Sequence, residues 1–404
     1  MNTNMKHISI ITGSELRMVM GVNYYIKSFL KCNQYFKDYN VNRVYSSLQT
    51  LKVDEGEEIP IGIDKGKTEY KIRRGIRTVL RKLLTDKFYP FALFRYRLNS
   101  MHVSKSSVER FFEDNTSCDY IIFQELGCAE YYFKHLHKYA NRQKAKTLLI
   151  VHSEDDSGSM LINKFSGYGK NDMRKRFNAM RDYVYNRIEK VVYISEKAYN
   201  ASALENKKKA FVYNGCPNVH YTFNEKKNDI TNFVCVGSID GRKGQDKILE
   251  AMKLMDGPTL RKMHMTFVGD GMLRKSLEDF VKINKLSHYV TFTGIRNDVP
   301  EILRNHDVFI MPSTVEGLPM SAIEGMRAGL FLILTDTGGN VELCDEGCGF
   351  ICTRNPSDIM KKMCNVINKG VISVFQKEKS RARFLKLFSL ECMAEGYENV
   401  LKSL

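Results

Sequence analysis

Short apolar runs alternate with stretches of helical periodicity through the second half of the chain. The runs Phe233 to Gly237, Met265 to Gly269, Val290 to Gly294, Val308 to Met311 and Phe331 to Thr335 are nearly continuous in apolar residues. Strands buried on both faces of a sheet read this way, whereas half-solvated strands alternate. Between them, 247–255, 273–284, 299–305 and 320–328 carry apolar residues at helical spacing. Strand and helix in this rhythm predict a parallel sheet covered by helices, a doubly wound domain of about 150 residues.

The first half repeats the rhythm more weakly. Ile8 to Ile11, Tyr120 to Phe123, Leu148 to Val151 and Val191 to Ile194 read as strands, and Val22 to Leu30 reads as a helix. The stretch from Gly215 to Asn232 holds Gly, Pro and many polar residues and marks a boundary. Ser389 to Leu404 reads as a last helix. The expectation is an α/β chain of two doubly wound, Rossmann-like domains facing across a cleft. Residues 1–214 form the first domain, 215–385 the second, and 386–404 the terminal helix.

Length supports two domains, because 404 residues exceed what one core usually serves. No apolar run approaches the roughly 20 residues of a membrane span, and the start lacks the long apolar core of a secretion signal. The expected location is the cytoplasm. Ten scattered cysteines fit reduced, buried thiols there. Cys344, Cys348 and Cys352 have no second Cys/His pair at zinc spacing, and no Asp-x-Asp triplet occurs. No metal or other cofactor is expected.

The net charge of +16 is unevenly placed. Between Lys65 and Lys105 twelve Lys/Arg face only Glu69 and Asp86, a net of +10. Within this block Ile72, Ile76, Leu80, Leu83 and Leu84 recur at helical spacing, with Arg73, Arg74, Arg77, Arg81 and Lys82 on other faces. Phe88, Tyr89, Phe91, Phe94 and Tyr96 follow. A basic amphipathic helix flanked by aromatics suits an anionic membrane surface, here the inner face of the cytoplasmic membrane. The same spacing also suits a solvated helix packed on its own sheet. Neither an aromatic-rich strand nor a zinc motif accompanies the charge, so nucleic acid is not the expected partner.

The chemistry concentrates in Pro312-Ser313-Thr314-Val315-Glu316-Gly317-Leu318-Pro319-Met320-Ser321-Ala322-Ile323-Glu324. Glu316 follows the strand Val308 to Met311, at the edge where doubly wound sheets bind ligands. Pro319 fits the first turn of a helix, where its missing N–H costs nothing. The free amides around Gly317, Met320 and Ser321 would then form an anion site suited to a diphosphate. Glu316 and Glu324 flank that turn, and carboxylates accept hydrogen bonds from sugar or ribose hydroxyls. The plainer alternative is a pair of surface acids of the kind common near helix starts.

From Asn214-Gly215 onward the chain resembles the retaining, GT-B-fold glycosyltransferase family 4. The resemblance rests on Val236-Gly237 with Lys243-Gly244, Val268-Gly269-Asp270-Gly271, Phe292-Thr293-Gly294 and Pro312-Ser313. It continues through Glu316-Gly317-Leu318-Pro319, Glu324-Gly325-Met326-Arg327-Ala328-Gly329 and Thr337-Gly338-Gly339 with Glu342. The resemblance implies that Glu316 contacts the donor sugar near the reaction centre and that Glu324 holds the ribose. Gly317, Leu318 and Met320 would line the sugar and phosphate site, and Lys243 would neutralise the diphosphate. It also implies that His152, ending the strand Leu148 to Val151, lies near the sugar, that Gly21 approaches donor phosphates, and that the last helix crosses back to the first domain. For His152 a local hydrogen-bonding role at a strand end stays open, as a solvated lysine does for Lys243. One departure stands out: Ser238 occupies the place where the family usually has arginine, and Arg242 is the candidate replacement cation.

The implied function is a retaining hexosyltransferase with a nucleotide-sugar donor, UDP-linked by preference. The saccharide acceptor is lipid-linked, as in surface polysaccharide synthesis, if the basic segment meets a membrane. Three alternatives remain: an epimerase or phosphorylase-like enzyme of the same fold, a sugar-nucleotide-binding protein without activity, and a basic adaptor for membrane or nucleic acid.

Overall fold

The computed structural model describes residues 5–16, 21–57, 104–114, 116–138, 145–158, 162, 167–223, 230–345, 347–369 and 373–404. The basic stretch 65–105 lies outside these residues except for its last two positions. The chain divides into two compact units. The first comprises Met1–Tyr193, Ala201–Val212 and Ala394–Leu404; the second comprises Ile194–Asn200 and Tyr213–Met393.

The first unit is built on seven strands: β1 (Lys6–Ile11), β2 (Tyr39–Tyr45), β3 (Thr50–Lys52), β4 (Tyr120–Phe123), β5 (Lys146–Val151), β6 (Lys190–Tyr193) and β7 (Lys209–Phe211). They lie in the order β3-β2-β1-β4-β5-β6-β7, all parallel except that β3 runs antiparallel to β2. The order reverses at β1, whose neighbours β2 and β4 lie on opposite sides. Ile8, Ile10, Ile121, Ile122 and Val192 are fully buried, as the continuous apolar runs require.

The second unit holds β8 (Thr231–Val236), β9 (Met263–Val268), β10 (Val290–Gly294), β11 (Val308–Met311), β12 (Phe331–Thr335) and β13 (Gly349–Cys352). Their order is β10-β9-β8-β11-β12-β13, all parallel. The order again reverses between the first strand, β8, and its neighbour β11. All carboxyl ends therefore share one edge, and the crevice at the reversal is where such sheets receive ligands. This is an α/β chain of two parallel-sheet units.

The predicted second-half strands are present, β10, β11 and β12 with the predicted bounds. The helices between them are Gln245–Lys253, Arg274–Ile283, Val299–Arg304 and Met320–Arg327. In the last of these Gly325 lies against Phe309 of β11, where a Cβ would meet the Phe309 side chain at 3.1 Å. Close seating of this helix on β11 fixes its amino end beside the strand's exit. No predicted strand covers β2, β3, β7 or β13. Strand β2 hides because Asn42 and Arg43 interrupt its apolar pattern. Both are buried nonetheless, Arg43 being paired with Asp54 and lying 3.7 Å from Asp114. Strands β7 and β13 are short sheet edges, where pattern is weakest.

The terminal helix runs Leu390–Lys402, and its residues from Ala394 belong to the first unit. There Tyr397 packs edge-on against Phe29 at 4.7 Å and its hydroxyl bonds that of Tyr25. All ten cysteines are free thiols. No helix among the described residues is long and apolar enough to cross a membrane.

Candidate active site

In the second unit the loops leaving β8 and β11 meet at the point of strand reversal. Lys243, on the β8 loop, donates from Nζ to Glu316 Oε1 on the β11 loop at 2.7 Å. Their side chains are only 14% and 8% exposed. A charge pair this buried survives only if each partner holds the other, because either ion alone would bear the full desolvation cost.

The backbone makes the pairing possible. Gly244 has φ +79°, and a Cβ there would lie 2.3 Å from the Pro312 carbonyl oxygen. Only glycine lets the β8 loop turn into its helix this close to the β11 loop. The Thr314 amide then donates to the Arg242 carbonyl at 2.9 Å, locking the two loops in register. A third loop, after β12, seats on the second. Gly338 has φ +53°, and a Cβ on it would lie 2.2 Å from the Glu316 carbonyl oxygen. The Gly339 amide donates to the Gly317 carbonyl at 2.6 Å. Thr335 Oγ1 donates to the Ser313 carbonyl at 2.7 Å, and Asn214 Nδ2 to the Leu318 carbonyl at 2.8 Å.

Beyond Thr314, these bonds use the carbonyls of the β11 loop. Among the described residues, none accepts a hydrogen bond from the amides of Gly317, Leu318, Met320 or Ser321. The sequence reading puts Pro319 in the first helical turn; it stands one position earlier, at the N-cap, with extended backbone (φ −72°, ψ 118°). Met320 and Ser321 therefore open the helix with free N–H groups, the geometry that attracts anions. The Leu318 side chain is buried against Gly339, so only its backbone faces the loop surface. Glu324 is also buried, its Oε1 lying 3.9 Å from Arg327 Nη2.

Around Ser238 the chain has built a small polar cluster. Ser238 Oγ donates to Asp240 Oδ2 at 3.0 Å, and the Arg242 amide donates to Asp240 Oδ1 at 3.0 Å. Arg242 Nη2 reaches Asp240 Oδ2 at 3.4 Å. Asp240 carries no motif signal, and sequence reasoning missed it. Glu342, part of the family resemblance, accepts from the amides of Glu196 and Lys197 at 3.0 and 2.9 Å. It thereby caps the helix Glu196–Ala201.

The first unit places its polar groups at the corresponding edge. His152 follows β5, and its Nε2 is 2.7 Å from Gln124 Oε1, just past β4. With the amide oxygen so placed, Nε2 donates and Nδ1 is left as an acceptor. The Tyr25 ring meets the imidazole edge-on at 4.7 Å. Burial pushes the His152 pKa down to about 4, which keeps the ring neutral near pH 7. Beside it Glu125 accepts from the Gly13 amide at 2.8 Å, Thr12 Oγ1 at 2.9 Å and Ser14 Oγ at 3.1 Å. Burial raises the Glu125 pKa, against the lowering effect of those donors. Cys128 Sγ lies 3.8 Å from its Oε2, but these three donors lie more than a hundred positions away, where no local pattern reaches. Gly21 opens the helix Gly21–Lys31, and a Cβ there would meet no atom within 4 Å. The structure imposes no steric need for glycine at that position.

Residues 230–369 match the family described as Glycosyl transferases group 1. An uncharacterized glycosyltransferase of Methanocaldococcus jannaschii is 27% identical over 76% of this chain and 81% of its own. The O-antigen biosynthesis glycosyltransferase WclY of Escherichia coli is 28% identical over 54% of this chain and 62% of its own, slightly under two thirds of that relative. Among solved structures, HepE of Anabaena in complex with UDP-glucose superposes with a TM-score of 0.66 at 15% identity, covering 99% of this chain and 100% of that one.

Proposed function

We propose, from the premise that this chain is a group 1 glycosyltransferase of the GT-B class, that it moves a hexosyl group from a nucleoside-diphosphate sugar to a saccharide hydroxyl with retention of configuration. The observation that carries this reading is the buried Lys243–Glu316 pair beside four unused amides at the strand-reversal point of the second sheet. A diphosphate supplies what that place lacks, an anion for the amides and for Lys243. When it binds, Lys243 exchanges Glu316 for phosphate oxygen, and the released carboxylate turns to the hydroxyls of the donor sugar.

In the transfer step the bond from the anomeric carbon to the diphosphate oxygen breaks. The acceptor oxygen bonds to the same face of that carbon, and its proton passes to the leaving phosphate. Charge grows on the departing oxygen, and Lys243 and the amides of Gly317, Met320 and Ser321 are placed to stabilise it. Glu324 serves the ribose, and His152, neutral at working pH, serves the sugar. Gly21, in this reading, borders the donor phosphates. No metal ion is assigned to the step.

Retention is supported by the family resemblance of the motifs. UDP is supported by the nucleotide in the complex of the structural neighbour HepE. A lipid-linked acceptor at the inner membrane face is supported by the +10 block between Lys65 and Lys105. WclY, named for O-antigen biosynthesis, points the same way, toward surface polysaccharide.

The test is turnover of a panel of UDP-sugars with lipid-linked saccharide acceptors, read as nucleotide release and as the anomer of the product. Glu316→Gln should lower turnover by about a hundredfold or more while changing donor affinity little. Turnover should be equal with and without EDTA. Unchanged turnover in E316Q removes Glu316 from the chemistry, and an inverted product refutes retention. Donor binding without turnover on any acceptor makes the chain a nucleotide-sugar-binding protein.

A further inference from the structure

We propose that Asp240 is an internal competitor of the donor diphosphate: it holds the Arg242 guanidinium in the free protein and yields it to the bound ligand. The inference rests on the diphosphate reading and assigns a role to two residues outside the paired glutamates.

The loop 237–244 is fixed along its backbone. The Gly237 amide donates to Val268 and the Ile239 amide to Asp270, at 2.9 and 3.0 Å, and Arg354 Nη2 donates to the Gly241 carbonyl at 3.3 Å. The Arg242 carbonyl accepts from Thr314, two positions before Glu316. The root of Arg242 thus stays beside the anion site, and only its side chain is free to swing. That side chain is 41% exposed and its partner Asp240 33% exposed.

The two cations of this loop are held differently. Lys243 and Glu316 are buried at 2.7 Å. Arg242 and Asp240 are solvated at 3.4 Å, a geometry in which ion pairs contribute a factor of about two to five at most. A diphosphate carries more charge than one carboxylate and matches the planar guanidinium with two oxygens. Arg242 should therefore leave Asp240 when a diphosphate arrives. Asp240 itself stays in place, because Ser238 Oγ and the Arg242 amide hold both of its oxygens. Each cation thus has its own carboxylate in the free protein, so the charges of this site balance. A ligand with two adjoining phosphates engages both cations, whereas a single phosphate engages one and gains less.

The experiment is calorimetric titration of the full chain with UDP, GDP and ADP, and with the matching monophosphates. The proteins are the wild type, Asp240→Asn, Arg242→Gln and the double variant. Asn keeps an oxygen for the Arg242 amide, so the turn survives; melting curves check it. The proposal expects D240N to tighten the preferred diphosphate about two- to fivefold and the monophosphate less. It expects no gain from D240N in the R242Q background. Equal tightening with and without Arg242 would mean that Asp240 acts only by its charge, and would overturn the proposal. Unchanged or weaker binding in D240N would do the same. If no nucleoside diphosphate binds the wild type, the diphosphate reading itself falls, and this inference with it.

Discussion

At the strand-reversal point of the second unit, the loop after β11 leaves the amides of Gly317, Leu318, Met320 and Ser321 without an acceptor among the described residues, and the nearby Lys243 and Glu316 hold each other at 2.7 Å. At the same point of the first unit, between β1 and β4, the donors of the loop after β1 are taken up by a carboxylate of the loop after β4. The Gly13 amide, Thr12 and Ser14 all donate to Glu125, a carboxylate from the chain itself. The two sheets reverse strand order beside their first strand in the same way and differ in who supplies the anion. Where the protein supplies it, those donors are already spent. Where it does not, amides stand ready, and Lys243 is held by Glu316, an internal anion that a stronger ligand can displace. Fold alone therefore does not distinguish the two reversal points; their hydrogen bonds do.

Glu125→Ala breaks this comparison most severely. It strips an acceptor from the Gly13 amide, Thr12, Ser14 and Cys128 and should cost about 2–4 kcal/mol of stability, read by denaturant unfolding. A loss below about 0.5 kcal/mol would mean that Glu125 does not hold these donors. His152→Gln sharpens the comparison by pH and has a smaller effect. The folded His152 pKa of about 4 lies below the unfolded value of about 6.5. Its neutral form thus contributes stability that is full above pH 6.5 and lost as the pH falls toward 4. Wild type should lose about 1–3 kcal/mol more than H152Q between pH 7 and pH 4, since the ring keeps some exposure. Parallel pH profiles would show that His152 is not held neutral by burial.

The second unit was legible because its signals are local. Strand, loop and helix lie within a few residues, so β11, Glu316, Pro319 and the helix Met320–Arg327 read in one pass, with Pro319 displaced by one position. Lys243 could be placed from the family resemblance together with its strand and the glycine after it. Its partner's distance, its burial and the Asp240 cluster could not, because side-chain pairing across 73 positions leaves no periodic trace. In the first unit the informative contacts span 111 to 113 positions for Glu125 and 372 for Tyr25 with Tyr397. Strand β2 was hidden for another reason: its polar residues are buried by ion pairs, which an apolar pattern does not report.

The central claim is that Lys243 grips a diphosphate at the β8–β11 crossing. Its most direct test is titration of Glu316→Gln and Lys243→Ala/Glu316→Gln with UDP and with uridine, a pair of proteins in which no buried carboxylate is left unpaired. The account predicts that loss of Lys243 weakens UDP at least about tenfold and leaves uridine unchanged. Equal UDP affinity in the two proteins would contradict it.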